Sequence, residues 1–260
     1  MKCIVCIKHV PDTETKIAVH ADGNRLDPAA VSSWILSPFD EIALEQALLF
    51  REANGGEVIV VTAGSDGCQA SLRKALATGA DKAVHIEDAL LDDCDAVARA
   101  AVLAAYVRSE APDVVLLGKY GVGTDEGATG AMLAEKLDWD HVATVNALEL
   151  TGSQFVAQRS IEGAVEVHEG SLPALFTCEK GLNTPRLPSL KGIMQSKKKP
   201  IDKKSIGDLG IDADSLSNRR LAWDSLSLPP ERAAGRLIDG DAATAANELV
   251  RLLHEEAKVL

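Results

Sequence analysis

Short apolar runs alternate with amphipathic stretches over the first 140 residues of the chain. The runs are typical of buried strands and cover Lys2 to Lys8, Val58 to Thr62, Lys82 to Ile86 and Val114 to Leu117. Apolar residues at helical spacing between them predict helices over Asp40 to Glu52, Cys68 to Thr78, Cys94 to Arg108, and from the end of a glycine-rich loop through Lys136. Strands that alternate with helices favour right-handed crossovers. The predicted fold class is therefore α/β, with a mainly parallel, Rossmann-like sheet.

The pattern changes after Asp140. Strand-like segments then follow one another with short turns between them, at Val142 to Glu149, Gln154 to Ser160, Val165 to His168 and Ala174 to Cys178. They either extend the sheet or form a small antiparallel layer. We expect an α/β nucleotide-binding domain over residues 1–180, a separate segment over 181–200, and a C-terminal arm over 201–260 that ends in an amphipathic helix, Ala242 to Lys258.

The segment from Gly181 to Pro200 combines breakers of regular structure with apolar side chains. Its three prolines and two glycines predict an irregular conformation. Yet Leu187, Leu190, Ile193 and Met194 are apolar, which is unusual in a flexible linker. Such a segment packs on a surface, either of its own protein or of a partner. The lysines at 197–199 are typical of a solvated loop.

Charge and cysteine usage narrow the classes of function. The net charge of -12 disfavours nucleic-acid binding, which needs a basic face. The apolar runs are much shorter than the roughly 20 residues of a membrane-spanning helix. We expect no secretion or transit signal after Met1, and the odd count of five cysteines then indicates a reducing cytoplasm. Cys3 and Cys6 would lie on opposite faces of a strand, so we expect core packing, and the scattered histidines predict no zinc site.

Ligands of open parallel sheets bind beyond the carboxyl ends of the strands. The loop Gly118 to Gly130 follows such a strand, is rich in glycine, and precedes a helix that Thr124 or Asp125 could cap. Its GxGxxxG spacing leaves both nucleotide binding and a plain tight turn open. The neighbouring loop Ala63 to Gly67 is equally rich in small residues, which favours a shared nucleotide pocket. No catalytic acid–base or nucleophile set stands out, so we expect a binding or carrier role and no catalytic residues.

Several local sequences together resemble the beta subunits of electron-transfer flavoproteins, over Met1 to about Gly210. They are Lys8 to Asp12, Pro38 to Ile42, Ala75 to Asp81, Leu116 to Lys119, Leu137 to Trp139, Arg159 to Gly163, Leu172-Pro173, Leu182 to Arg186, and Leu190 to Lys199.

The resemblance implies a heterodimer whose alpha subunit holds most of an FAD. The beta subunit would have a nucleotide-hydrolase-like fold and bury an AMP. The implied cofactor contacts are Cys6, Ser37, Pro38, Phe39, Asp40, Ala63, Gly118, Lys119, Tyr120, Gly121, Val122, Gly123, Thr124, Asp125, Gly127, Ala128 and Thr129, with Thr13 and Phe39 nearest the flavin. Leu190 would anchor partner flavin dehydrogenases, with Ile193, Met194, Lys197 and Lys198 beside it, and the arm after Pro200 would wrap onto the alpha subunit.

The chain also departs from the family pattern, since Gly127 and Ala128 replace polar residues and Ser37 replaces the usual Asn. These changes fit a divergent member. The expected function is the small subunit of a carrier that moves electrons from flavin dehydrogenases to a downstream acceptor. One alternative is the beta subunit of a bifurcating relative, with a second FAD in place of AMP and NADH oxidation. An alternative of another class is a stand-alone nucleotide-binding sensor.

Overall fold

The computed structural model describes residues 1–92, 94–217, 220–232 and 234–260. The strands are β1 (Lys2–Cys6), β2 (His9–Pro11), β3 (Trp34–Leu36), β4 (Glu57–Ala63), β5 (Lys82–Ile86), β6 (Val114–Gly118), β7 (Asp140–Thr151), β8 (Gln154–Ile161), β9 (Ala164–Ser171), β10 (Ala174–Cys178) and β11 (Asp202–Lys204). The helices are α1 (Pro38–Asn54), α2 (Gln69–Thr78), α3 (Ala96–Glu110), α4 (Ala128–Leu137), α5 (Leu190–Ser196), α6 (Ala213–Ser217) and α7 (Ala242–Glu255).

Within the described residues, nine strands form one sheet in the order β11-β5-β4-β1-β6-β10-β7-β8-β9. The seven strands from β11 to β7 are parallel. Strands β7, β8 and β9 form an antiparallel meander at one edge. The segments after Asp140 therefore extend the main sheet, and β10 returns to pair between β6 and β7. The α/β prediction with a mainly parallel sheet is confirmed.

Helices cover both faces of the parallel strands, and each face has its own apolar core. Side chains of β1 alternate between the cores, because successive residues of a strand point to opposite faces. Cys3 packs in one core with residues of α1 and α2, whereas Cys6 packs in the other with residues of α3 and α4. The two cysteines are thus separate core residues, as their odd spacing predicted.

The segment from Gly181 to Pro200 is less irregular than its prolines predicted, because residues 190–196 form α5. Pro185 and Pro188 lie before this helix and Pro200 after it, which leaves 11 residues without proline between them. Ser189 caps the helix, and its Oγ accepts a hydrogen bond from the Gly192 backbone amide at 3.0 Å. The prediction of no regular helix was therefore wrong at this point.

The described chain divides into two compact units, Met1–Leu226 and Ser227–Leu260. The first includes β11 and the segment after it, where Ile206 and Leu216 are buried in the core of α3 and α4. In the second unit, Asp241 caps α7 by accepting a hydrogen bond from the Thr244 amide at 2.8 Å. Among the described residues, no helix combines the length and the apolarity that a membrane crossing requires.

Candidate functional site

A cavity of about 580 Å³ opens at the carboxyl ends of β1, β4 and β6. This edge is where parallel sheets bind ligands, because the loops that leave adjacent strands converge there. Its wall combines residues from the ends of these strands, from the first turn of α3, and from the loop between β6 and α4. Among them are Cys6, Lys8, Ala63, Gly64, Arg99 and Gly118 to Gly121.

A buried carboxylate joins the strand ends that form the floor of the cavity. Asp40 lies in the first turn of α1 and is 4% exposed. Its Oδ2 accepts a hydrogen bond from the Lys8 backbone amide, and its Oδ1 accepts one from the Gly118 backbone amide, both at 2.7 Å. One side chain thus fixes the ends of β1 and β6 to the start of α1. Burial raises its pKa to about 7, although both backbone donors act in the opposite direction.

The loop from β6 to α4 needs glycine for two different reasons. At Gly118 there is no space, because a Cβ would lie 2.6 Å from the Phe39 Cβ and 2.7 Å from the Asp40 Oδ1. At Gly127 the backbone has φ +62°, in the left-handed region that favours glycine, and this residue is the N-cap of α4. The loop can therefore bring its backbone close to a ligand.

The capping role predicted for Thr124 or Asp125 was wrong. The helix begins at Ala128, after Gly127, and no side chain caps it. Thr124 and Asp125 instead belong to a turn in which both amides donate to the Gly121 carbonyl, at 3.3 and 3.1 Å. The Thr124 hydroxyl is thereby directed at Lys8, whose Nζ donates to it at 2.8 Å.

Three cations that were not predicted as site residues lie in the cavity wall, namely Lys8, Arg25 and Arg99. Lys8 follows the last residues of β1, and Arg99 is in the second turn of α3. Burial lowers the pKa of Lys8, and the Arg99 guanidinium lowers it further. Arg99 also donates to the Ala63 carbonyl at 2.8 Å, so its position is fixed. The signal available in the sequence was the position of Lys8 at a strand's carboxyl end; Arg99 lies far from any motif.

The residues predicted to contact the cofactors separate into two groups. Those in the cavity wall are Cys6, Asp40, Ala63, Gly118, Lys119, Tyr120, Gly121, Thr124, Gly127, Ala128 and Thr129. Those outside it are Thr13, Ser37, Pro38, Phe39, Val122, Gly123 and Asp125. Ser37 is fully buried beneath the wall. Phe39 packs edge-on against Tyr120 at a centroid distance of 4.9 Å, and the Lys119 Nζ lies over both rings.

A segment from the end of the first unit forms another side of the cavity, with Leu221, Ala222 and Trp223 in its wall. The Asp95 side chain holds it there. Asp95 caps α3 through the Ala98 amide, and its other oxygen accepts a hydrogen bond from the Arg220 amide at 2.7 Å. Part of the predicted C-terminal arm thus packs against the α/β body of the first unit.

The predicted docking segment is held on α1 and α2 by polar contacts. Arg186 forms ion pairs with Glu45 at 2.8 Å and with Glu52 at 2.5 Å, both on α1. The Arg73 side chain on α2 donates to the carbonyl oxygens of Ser196 and Lys199. These contacts fix both ends of α5.

The outer side of α5 is apolar and open to solvent. Leu190 is 83% exposed and Met194 is 71% exposed, and Leu187 and Ile193 lie nearby with exposed side chains. Lys197 and Lys198 are exposed as well, while Lys199 donates to the Ala80 carbonyl at 2.7 Å. An apolar face that is fixed rather than flexible is suited to binding a partner.

The raised pKa of Asp40 predicts a pH-dependent stability. In the unfolded chain this carboxyl ionises near pH 3.8, and in the folded chain near pH 7. Between these values the folded state binds more protons, so ionisation of Asp40 lowers the free energy of unfolding as the pH rises, with a slope of up to about 1.4 kcal/mol per pH unit.

An Asp40→Asn variant should lose this slope between pH 4 and 7, even if its stability differs at every pH. The measurement is denaturant unfolding of both proteins across that range. Parallel pH profiles for the two would show that Asp40 does not titrate there.

The family model described as "Electron transfer flavoprotein domain" matches residues 29–209. Three relatives are named "Electron transfer flavoprotein subunit beta". The protein from Bacillus subtilis (strain 168) is 39% identical over 100% of both chains, and that from Bradyrhizobium diazoefficiens is 35% identical over 100% of both. The protein from Mus musculus is 33% identical, over 100% of this chain and 99% of its own. The chain therefore belongs to the electron transfer flavoprotein beta subunit family.

Proposed function

We propose that the chain pairs with an alpha subunit to form an electron carrier, which accepts electrons from flavin dehydrogenases and delivers them to a downstream acceptor. In this role the alpha subunit holds most of an FAD, and the beta subunit binds AMP. The flavin supplies the redox chemistry, and this chain supplies the placement of the cofactors and the access of partners. The observation that carries the proposal is the cavity at the carboxyl ends of β1, β4 and β6, in a member of this family.

The charges of the cavity favour a ligand with a phosphate group. Lys8 and Arg99 are both cations, and burial together with the Arg99 guanidinium lowers the pKa of Lys8. A phosphate between them would reduce this repulsion and accept a charge-assisted hydrogen bond from the Lys8 Nζ. The backbone of the glycine-rich loop also approaches Lys8 closely, since a Cβ on Gly121 would lie 2.2 Å from the Lys8 Cδ. This arrangement supports AMP even without the polar side chains missing at Gly127 and Ala128.

Thr13 and Phe39 would be the residues nearest the flavin. Thr13 is exposed, and Phe39 is partly buried beside Tyr120 and Lys119. Neither belongs to the cavity wall. A surface position suits contact with a cofactor that is held mainly by another subunit.

The helix α5 would be the docking element for partner dehydrogenases, with Leu190 as the anchor. Burying a leucine side chain that is exposed in the free protein stabilises a complex by about 1.5–3 kcal/mol. The contacts of Arg186 and Arg73 hold α5 in place before binding, so little ordering cost remains to be met. Ile193, Met194, Lys197 and Lys198 would surround the anchor and contact the same partner.

The cofactor content of the co-purified heterodimer tests the carrier proposal. We expect one FAD and one AMP per heterodimer after acid release, identified by chromatography. Two FAD and no AMP would contradict the AMP assignment and indicate a bifurcating relative. A stable, flavin-free chain that no alpha subunit captures would contradict the carrier role and leave the nucleotide-binding sensor.

A Lys8→Met variant should weaken AMP binding by about tenfold to a hundredfold, because it removes a charge-assisted hydrogen bond worth roughly 1.5–3 kcal/mol. Adenosine, which has no phosphate, should bind both proteins equally. The measurement is calorimetric titration of the nucleotide-free protein with each ligand. Lys180→Met is the matched control, since Lys180 is exposed and outside the cavity wall. Equal weakening of AMP and adenosine would contradict a phosphate contact at Lys8.

A Leu190→Ala variant should lower kcat/KM for reduction by a partner dehydrogenase about thirtyfold, the effect of losing an interface hot spot. Flavin content and the flavin spectrum should stay the same, because α5 lies outside the cavity wall. Steady-state reduction kinetics with saturating dehydrogenase substrate measure the change. The matched control is Val165→Ala, at an apolar residue of β9 that is 57% exposed and lies outside both α5 and the C-terminal arm. An unchanged kcat/KM for Leu190→Ala would exclude the anchor role.

A further inference from the structure

His85 lies in β5 with a fully buried ring whose two nitrogens differ in their surroundings. Nε2 lies 2.8 Å from the Gly64 carbonyl oxygen, which can only accept, so Nε2 carries the proton of the neutral ring. Nδ1 then carries the lone pair. Among the described residues, no group forms a hydrogen bond with it. A buried polar atom left unpartnered destabilises the fold, so a ligand that binds this lone pair is favoured.

Two carboxylates converge on this nitrogen. Glu87 is two residues after His85 and therefore extends from the same face, and its Oε2 is 4.0 Å from the His85 Nδ1. Asp66 begins the turn after β4, and because β4 and β5 are parallel neighbours their carboxyl ends meet. One ligand atom from each of the three residues lies within 4.8 Å of the other two. The Gln69 amide orients Asp66 through a hydrogen bond of 2.8 Å.

A lysine forms ion pairs with both carboxylates in this structure. Strand β11 pairs with β5 so that Lys203 is opposite His85, and its Nζ lies 2.6 Å from Glu87 and 3.2 Å from Asp66. The ammonium balances their charge but forms no hydrogen bond with the Nδ1 atom. These pairs are exposed, with the Lys203 side chain 52% and the Asp66 side chain 71% accessible. Exposed ion pairs contribute little to stability, so another cation can replace Lys203 at little cost in free energy.

We propose that Asp66, His85 and Glu87 form an exchangeable site for a divalent transition-metal ion, most suited to zinc, in competition with Lys203. Imidazole nitrogen and carboxylate oxygen are both zinc ligands in proteins, and three protein ligands leave the fourth position to water. The Nε2 hydrogen bond to a backbone carbonyl is the support that metal-bound histidines usually have. The exposed Asp66 side chain and the partly exposed Glu87 side chain can move to zinc-ligand distances.

The sequence analysis predicted no zinc site because these ligands form no spaced motif. They come from two strand ends, 19 residues apart, and only the sheet brings them together. The site is separate from the proposed nucleotide and docking functions, since none of its three ligands is in the cavity wall or in α5.

Calorimetric titration with Zn²⁺ tests the site on the full chain, purified with its alpha subunit and treated with a chelator. We expect one zinc ion per chain. Asp66→Asn and Glu87→Gln should each weaken binding about tenfold or more, as loss of ligand-shell groups does. Lys203→Met should strengthen it about tenfold, because the competing cation is gone. Glu57→Gln is the matched control, since Glu57 pairs with Lys82 at 2.6 Å in a similar exposed ion pair without a histidine.

Cobalt in place of zinc identifies the ligands. The Co²⁺ spectrum of the wild-type chain should lack thiolate charge-transfer bands. In NMR, the signal of the His85 ring should shift when the metal is added, as direct binding at Nδ1 requires. Binding that is unchanged in both carboxylate variants, or that shows thiolate bands, would overturn the proposal. Zinc binding by Lys203→Met alone would also overturn it, because Lys203 would then be the permanent cation of the natural chain.

Discussion

The hydrogen bonds of Asp40 are the constraint on which the site depends. Two backbone amides, at Lys8 and Gly118, have no strand partner where β1 and β6 end, and both donate to this one carboxylate. Buried amides must find an acceptor, and a side chain from α1 provides one without bringing water into the floor of the cavity. The loop from β6 can then leave the sheet at a fixed angle. The absence of space for a Cβ at Gly118 follows from the same close contact.

This constraint also explains the unusual charge balance of the cavity. The carboxylate that holds the strand ends lies under the same wall that carries Lys8 and Arg99. Asp40 partly offsets the effect of Arg99 on Lys8, but its oxygens are already used by backbone donors. The wall also carries Asp22, Asp92, Asp95 and Glu126, so the positive charge available to a ligand is local to Lys8 and Arg99. The net charge disfavoured nucleic-acid binding. It carries no information, however, about the local charge around the loop between β6 and α4.

The helices and strands of the α/β body were predicted well from the sequence, because each depends on a local pattern. Strands β5 and β10 begin and end at the predicted residues, and the helices agree within a few residues at each end. Features that depend on contacts between distant parts of the chain were not predicted. Asp40 was expected only as a cofactor contact, and its role in joining two strand ends was missed because its partners are 32 and 78 residues away. Likewise α5 was missed because prolines at both sides obscured a short helix that tertiary contacts from Arg73 and Arg186 stabilise.

The strand order determines how late in synthesis the sheet can be completed. Strand β1 leaves the ribosome first but lies in the centre, between β4 and β6, which follow only at residues 57–63 and 114–118. Strand β10 must then insert between β6 and β7 after the whole meander has been made. Parallel strands that are far apart in the sequence pair slowly. Apolar strands that are still unpaired can aggregate during this time. Both partners of β1 are therefore available only after residue 118 of the 260 has emerged, and until then its apolar side chains need protection.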